Sequence, residues 1–177
     1  MDIMARPSDT KARIQAVARE LFAEQGVKNT SLRQISDRLG ITKPALYYHF
    51  ASRDDLVRSI IEPLLEEMER FVSTREPGEP RRLLEDYWEV IWRHREITNM
   101  IVRELSTLET LDLAERMFEW RRRLIALLLG PDPAPERHIR ATVAIGGMSD
   151  CTVEYAALPD DVVKTAAVDA AAAALGV

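Results

Sequence analysis

Residues 30–53 read TSLRQISDRLGITKPALYYHFASR, and they predict a helix, a tight turn and a second short helix. Leu32, Ile35 and Leu39 recur at spacings of three and four, an apolar stripe on a helix that Thr30 or Ser31 can cap. Gly40 tolerates the positive φ of a sharp exit, and Thr42 caps a new helix whose second residue is Pro44. That helix, Lys43 to His49, spans only about 10 Å at ~1.5 Å per residue and is too short to stand alone. Leu46 and Phe50, four apart, lean it on its neighbour. Lys43, Ala45, Tyr47, Tyr48 and His49 are left around the outside, a set of donors that a DNA major groove can admit on a helix.

The pattern T-S-L-R-Q-I-S-x-x-L-G-I-T-K-P-A-L-Y-Y-H-F-x-S-R-x-x-L closely resembles the DNA-binding domain of the TetR family of bacterial transcriptional regulators, over about Thr10 to Leu65. The L-Y-Y-H-F run followed by S-R-x-x-L is more specific than a generic helix-turn-helix. The resemblance implies that Thr30 and Ser31 touch phosphate and that Lys43, Pro44 and Ala45 approach base edges. It implies that Tyr47, Tyr48 and His49 reach phosphates or bases, and that Arg53 clamps the backbone. Ser36 and Leu39 stand where alanines are commoner, and Pro44 replaces a frequent glycine. Proline and alanine offer no hydrogen-bonding side chain, so base reading would rest on Lys43 and apolar thymine contacts.

The 177 residues, 46% hydrophobic, leave room for a DNA-binding domain over 9–68 and a larger helical domain over 69–177. No apolar run approaches the ~20 residues of a membrane span, and the N-terminus lacks a signal peptide's apolar core, so a cytoplasmic protein is expected. One cysteine, Cys151, excludes an internal disulfide framework, and three scattered histidines give no metal-ligand spacing. No cofactor or metal is expected. The net charge of −5 hides an asymmetry: residues 1–53 hold nine Lys/Arg against five Asp/Glu, a charge of +4, and the remainder carries −9. A basic head on an acidic body orients the molecule toward phosphate and makes binding fall steeply with salt.

Residues 1–8 read as a loose tail with Met4 as an alternative start, followed by a buttressing helix from Asp9 to Gln25. Ser52 with Asp55 forms a capping box for a long helix that joins the domains, and Pro63 inside it predicts a bend near Ser59 to Pro63, either a plain kink or a hinge. Thr74 to Pro80 is a turn, followed by helices over residues 84–92, Ile97 to Leu108 and Leu111 to Leu129. Trp88, Trp92, Met117, Trp120, Met148, Cys151 and Tyr155 form a candidate lining for an adaptable apolar cavity, with plain core as the bland alternative. The last two helices, Glu136 to Ala157 and Pro159 to Leu175, are built from small residues. Gly146, Gly147, Ala166, Ala167, Ala170 and Ala174 offer flat surface for a two-fold, four-helix interface.

The expectation is thus an all-α chain: an N-terminal three-helix helix-turn-helix domain joined by a long helix to a C-terminal helical ligand-binding and dimerisation domain. Its partners would be a palindromic double-stranded DNA operator, a second copy of itself and a small, largely apolar effector that releases it, with no membrane. Two rivals are an architectural DNA binder, which the acidic body disfavours, and a helical enzyme. Gly147-Met148-Ser149-Asp150-Cys151 only half matches a nucleophile elbow, since Cys151 replaces the final glycine and no strand precedes it.

Overall fold

A computed structural model describes residues 7–103 and 113–177, and these form nine α-helices with no strand among the described residues. Proline suits a first helical position, where its fixed φ fits and its missing N–H is no loss. It opens α1 (Pro7–Gln25), which therefore starts two residues ahead of the expected Asp9. Of the expected tail, Pro7 and Ser8 are helical and residues 1–6, Met4 included, lie outside the described residues. Packing divides the chain into two compact units: among the described residues, the first runs to Pro63 and takes in residues 100–103, and the second holds Leu64–Asn99 and 113–177.

In the first unit, α1, α2 (Leu32–Leu39), α3 (Lys43–His49) and the opening of α4 (Arg53–Ser73) bury Ile14, Ala18, Phe22, Ile35, Leu46, Phe50, Leu56 and Ile60. Gly40 exits α2 at φ 65°, the left-handed turn expected of it. Ser52 accepts from the Asp55 N–H at 3.0 Å, but the Asp55 carboxylate reaches back to the Ala51 N–H at 3.1 Å, one residue beyond the expected box.

Pro63 lies inside α4, which continues through it to Ser73. A proline there cannot donate to the carbonyl four residues back, that of Ser59. The side chain of Gln15, from α1, supplies the missing donor: its Nε2 lies 3.3 Å from the Ser59 carbonyl and 3.0 Å from Ser59 Oγ. Gln15→Leu is therefore expected to destabilise the protein by about 1–2 kcal/mol, and Pro63→Ala, which restores a helical donor, should remove most of that loss. Chemical denaturation of the two single variants and the double variant checks this; simple additivity would show that the two residues are not coupled.

The second unit contains the later half of α4, α5 (Pro80–Arg93), α6 from Arg95 to Asn99, α7 (Ala114–Leu129), α8 (Pro135–Glu154) and α9 (Asp160–Leu175); α6 as a whole spans Arg95–Arg103. α6 starts two residues before the expected Ile97, while the expected helix end at Leu108 and the next start at Leu111 lie outside the described residues. α8 stops at Glu154 rather than Ala157, and residues 155–157 form a turn. Three contacts tie α9 to α5: Trp88 Nε1 donates to Asp160 Oδ1 at 2.8 Å, and Arg81 pairs with Asp169 as Lys164 does with Glu89. No helix among the described residues is long and apolar enough to cross a membrane.

Two carboxylates of α4 bind cations within this unit. Burial pushes Glu67 up, but the hydrogen bond with His94 at 2.7 Å and the charge of Arg93 outweigh it and hold the carboxyl below its ordinary 4.5. The 2.8 Å hydrogen bond from Arg116 lowers Glu69 in the same way. A folded value below the unfolded one stabilises the protein above about pH 4.5, and that contribution fades as pH falls through the folded value. The Tm difference between the parent protein and Glu67→Gln should accordingly be constant near neutrality and shrink below about pH 4.5. A difference that grows in acid contradicts the assignment.

Candidate nucleic-acid interface

The reading surface is built on two capped helix starts. Ser31 Oγ accepts from the Gln34 N–H at 3.2 Å, while the Gln34 side chain accepts from the Ser31 N–H at 2.7 Å, a reciprocal box that sets the first turn of α2. Thr42 Oγ1 accepts from the Ala45 N–H at 3.3 Å and starts α3. Leu46 and Phe50 are buried as the four-residue spacing requires. Lys43, Pro44, Ala45, Tyr47 and Tyr48 are exposed, Tyr48 to 80%, and His49 is half-buried with its ring edge-on to Tyr48 at 5.2 Å. Lys43 Nζ lies 5.6 Å from the centre of the Tyr47 ring, so cation and aromatic are presented together.

Beside α3 lies an open groove of about 550 Å³ whose walls include Ser31, Lys43, Tyr47 and Arg53 and, in addition, Lys28 and Arg33. Leu32 and Arg33, in the first turn of α2, line it too, so the positive end of that helix dipole adds to four cations set against one carboxylate, Asp54, 3.8 Å from Arg53. Such a groove suits a phosphate. Arg53 donates from Nη1 to the Lys28 carbonyl at 3.2 Å and stays partly exposed, which fixes the Lys28 loop as well as placing charge. Lys28 and Arg33 went unassigned in the sequence, although cations flanking the Ser31 cap were a usable signal.

Thr30 is a correction. It belongs to the groove's wall but is 1% exposed, its hydroxyl donates to the Gly26 carbonyl at 2.8 Å and its N–H to that of Val27 at 3.2 Å, so both donors are committed to the loop rather than free for phosphate. Ser31 alone of the pair is exposed and caps α2.

The proposed cavity residues scatter. Trp88 and Met148 are fully buried, with Trp88 stacked on half-buried Trp92 at 5.4 Å. Trp120 is buried with its ring 6.4 Å from that of Tyr87, and Met117 and Cys151 are half-buried. Tyr155 is a second correction: at 49% exposure, in the turn after α8, it does not line an interior. Cys151 sits inside α8 rather than at a strand-to-helix turn, and burial pushes its thiol up, away from nucleophile character.

The small residues of α8 and α9 face both ways. A Cβ on Gly146 would come within 3.3 Å of Arg121 Nη2, and that guanidinium donates to the Thr142 carbonyl at 3.0 Å, so Gly146 makes room for a side chain of its own protomer. Gly147 opens to space. Ala167 is buried against the protomer's own core, Ala174 is half-buried, and Ala166 and Ala170 are exposed. Ile139 and Val143 of α8 and Val162 of α9, unassigned in the sequence, are each more than half exposed.

Residues 14–60 match the profile described as bacterial regulatory proteins, tetR family. The chain is 36% identical over 81 residues to the HTH-type transcriptional regulator AcrR of Shigella flexneri, an alignment covering 44% of this chain and 38% of that protein. It is 31% identical over 65 residues to the transcriptional repressor KstR2 of Mycolicibacterium smegmatis, covering 37% and 32%. The chain thus spans about a third of the length of the curated relatives it matches. Across almost its whole length it is similar in structure to a transcriptional regulator from Aquifex aeolicus VF5, with a TM-score of 0.72, 25% identity and coverage of 90% and 96%. A likeness to KstR2 of Mycobacterium tuberculosis, with a TM-score of 0.68, 20% identity and coverage of 99% and 95%, concerns the fold. Each of these proteins is described as a transcriptional regulator or repressor.

Proposed function

We propose, for a chain whose residues 14–60 match the profile of bacterial regulatory proteins, tetR family, a cytoplasmic repressor that binds a palindromic DNA operator as a homodimer and leaves it when a small, largely apolar effector occupies the second unit. The observation that carries this reading is the outer face of α3, with exposed Lys43, Ala45, Tyr47 and Tyr48 beside a groove rimmed by cations. Two such helices would enter successive major grooves about 34 Å apart. Support for the dimer comes from Ile139, Val143 and Val162, apolar side chains exposed on α8 and α9 next to Gly147, Ala166 and Ala170. The domains would divide near residues 68 and 69. Effector would favour a state whose two heads no longer match the operator spacing, and differential affinity for the two states would lift repression.

Mobility-shift titration at several salt concentrations tests the reading. A sequence-selective complex is expected, with log affinity falling linearly in log salt as phosphate contacts release counterions. No shift of any genomic duplex at low ionic strength would overturn it.

A further inference from the structure

Among the described residues of the second unit, the buried side-chain nitrogen and oxygen atoms are paired, with two exceptions. Tyr87, fully buried and pushed up to about 12 by that burial, is 2.9 Å from Ser149 Oγ, which itself donates to the Ile145 carbonyl. Thr152 donates to the Ser149 carbonyl at 2.7 Å, and Trp88 Nε1 to Asp160. Trp120 Nε1 and Asn99 Oδ1, by contrast, are sealed from solvent and have no hydrogen-bond partner. Trp120 is only 9% exposed, on the apolar stripe of α7 that includes Leu124 and Leu128. A desolvated indole N–H without an acceptor is a penalty that a suitably placed oxygen would relieve.

We infer that Trp120 Nε1 is the polar anchor for the effector, which is an uncharged, mostly apolar organic molecule that presents a carbonyl-type oxygen to it. The inference rests on reading the second unit as the effector domain. Indole is a donor only, so it selects an acceptor. Charge is argued against by the balance of the surroundings: no charged side chain is buried among the described residues, and the two charges that act on Tyr87, half-buried Arg121 and exposed Asp150, are of opposite sign, so neither a carboxylate nor an ammonium entering there would meet a net countercharge. Tyr87 adds selectivity: its ring centre lies 6.4 Å from that of Trp120, and its hydroxyl, having donated to Ser149, keeps lone pairs that would repel a second acceptor and welcome a donor.

The test is nitrogen-15 NMR of the indole N–H groups in the full-length protein, titrated with three fragments of matched size: indane, 1-indanone and 1-indanol. In the free protein the Trp120 signal should lie upfield of that of Trp88, whose N–H is bonded to a carboxylate. 1-Indanone should move it downfield and bind about tenfold more tightly than indane, the value of one net hydrogen bond, with 1-indanol at least equal to the ketone. Trp120→Phe should level the three affinities, and Trp88→Phe should not. The inference is overturned by a Trp120 signal already downfield in the free protein, by one that the ketone leaves in place, or by indane binding as tightly as the ketone. Operator binding by the fragment-free protein, measured alongside, separates the two readings. Its absence sinks the regulator and leaves the indole result standing, while an indifferent Trp120 in a protein that binds DNA sinks the anchor alone.

Discussion

Tyr47→Ala with Tyr48→Ala should weaken operator binding about 100-fold or more, at roughly 1–3 kcal/mol for each lost base or phosphate contact, while the fold stays intact. Both rings project from α3 into solvent, so their removal opens no cavity, and the stability change should stay within about ±0.5 kcal/mol. The inward pair behaves in the opposite way. Leu46 and Phe50 hold α3 on the first unit, and truncating either would lose binding through unfolding. Operator titration together with thermal melting distinguishes the two cases. Unchanged affinity of the double tyrosine variant would remove α3 from the interface.

Val143→Glu combined with Val162→Glu is expected to give a folded monomer. Each valine is more than half exposed in the protomer, so a carboxylate there costs the isolated chain little. In a packed two-fold interface the same carboxylates would be desolvated without partners, a penalty on the order of 3–5 kcal/mol for breaking such a surface. A monomer presents one reading helix, and loss of the tethered second head should lower operator affinity by on the order of 10²–10⁴-fold. Light scattering during gel filtration gives the mass and mobility shift gives the affinity. A dimer that survives both charges would place the interface elsewhere.

The features legible in the sequence were those set by neighbours a few residues apart. Leu46 and Phe50 face inward because they are four apart, Ser31 and Thr42 cap because backbone donors lie three residues on, and Gly40 turns because it lacks a Cβ. Misread or unseen features have partners far along the chain or on another helix. Gln15 completes the helix that Pro63 interrupts, Arg121 occupies the space that Gly146 leaves, and Trp88 is claimed by Asp160. Thr30 shows the same limit at short range: a hydroxyl next to a cap looks available until the Gly26 carbonyl is found 2.8 Å away. Periodicity gives the face of a helix and is silent about which group that face will meet.

The division of charge, positive through residue 53 and negative beyond, gives the groove beside α3 its long-range pull and leaves sequence selection to a few side chains on that helix. Selection of bound duplexes from a random pool by the full-length protein, with the stoichiometry of the complex measured on the winning sequence, tests the central claim most directly. The expected outcome is an inverted repeat whose half-sites are centred about one helical turn or a multiple apart, bound by two copies of the chain. Enrichment of a lone, asymmetric site, or of nothing at all, would contradict it.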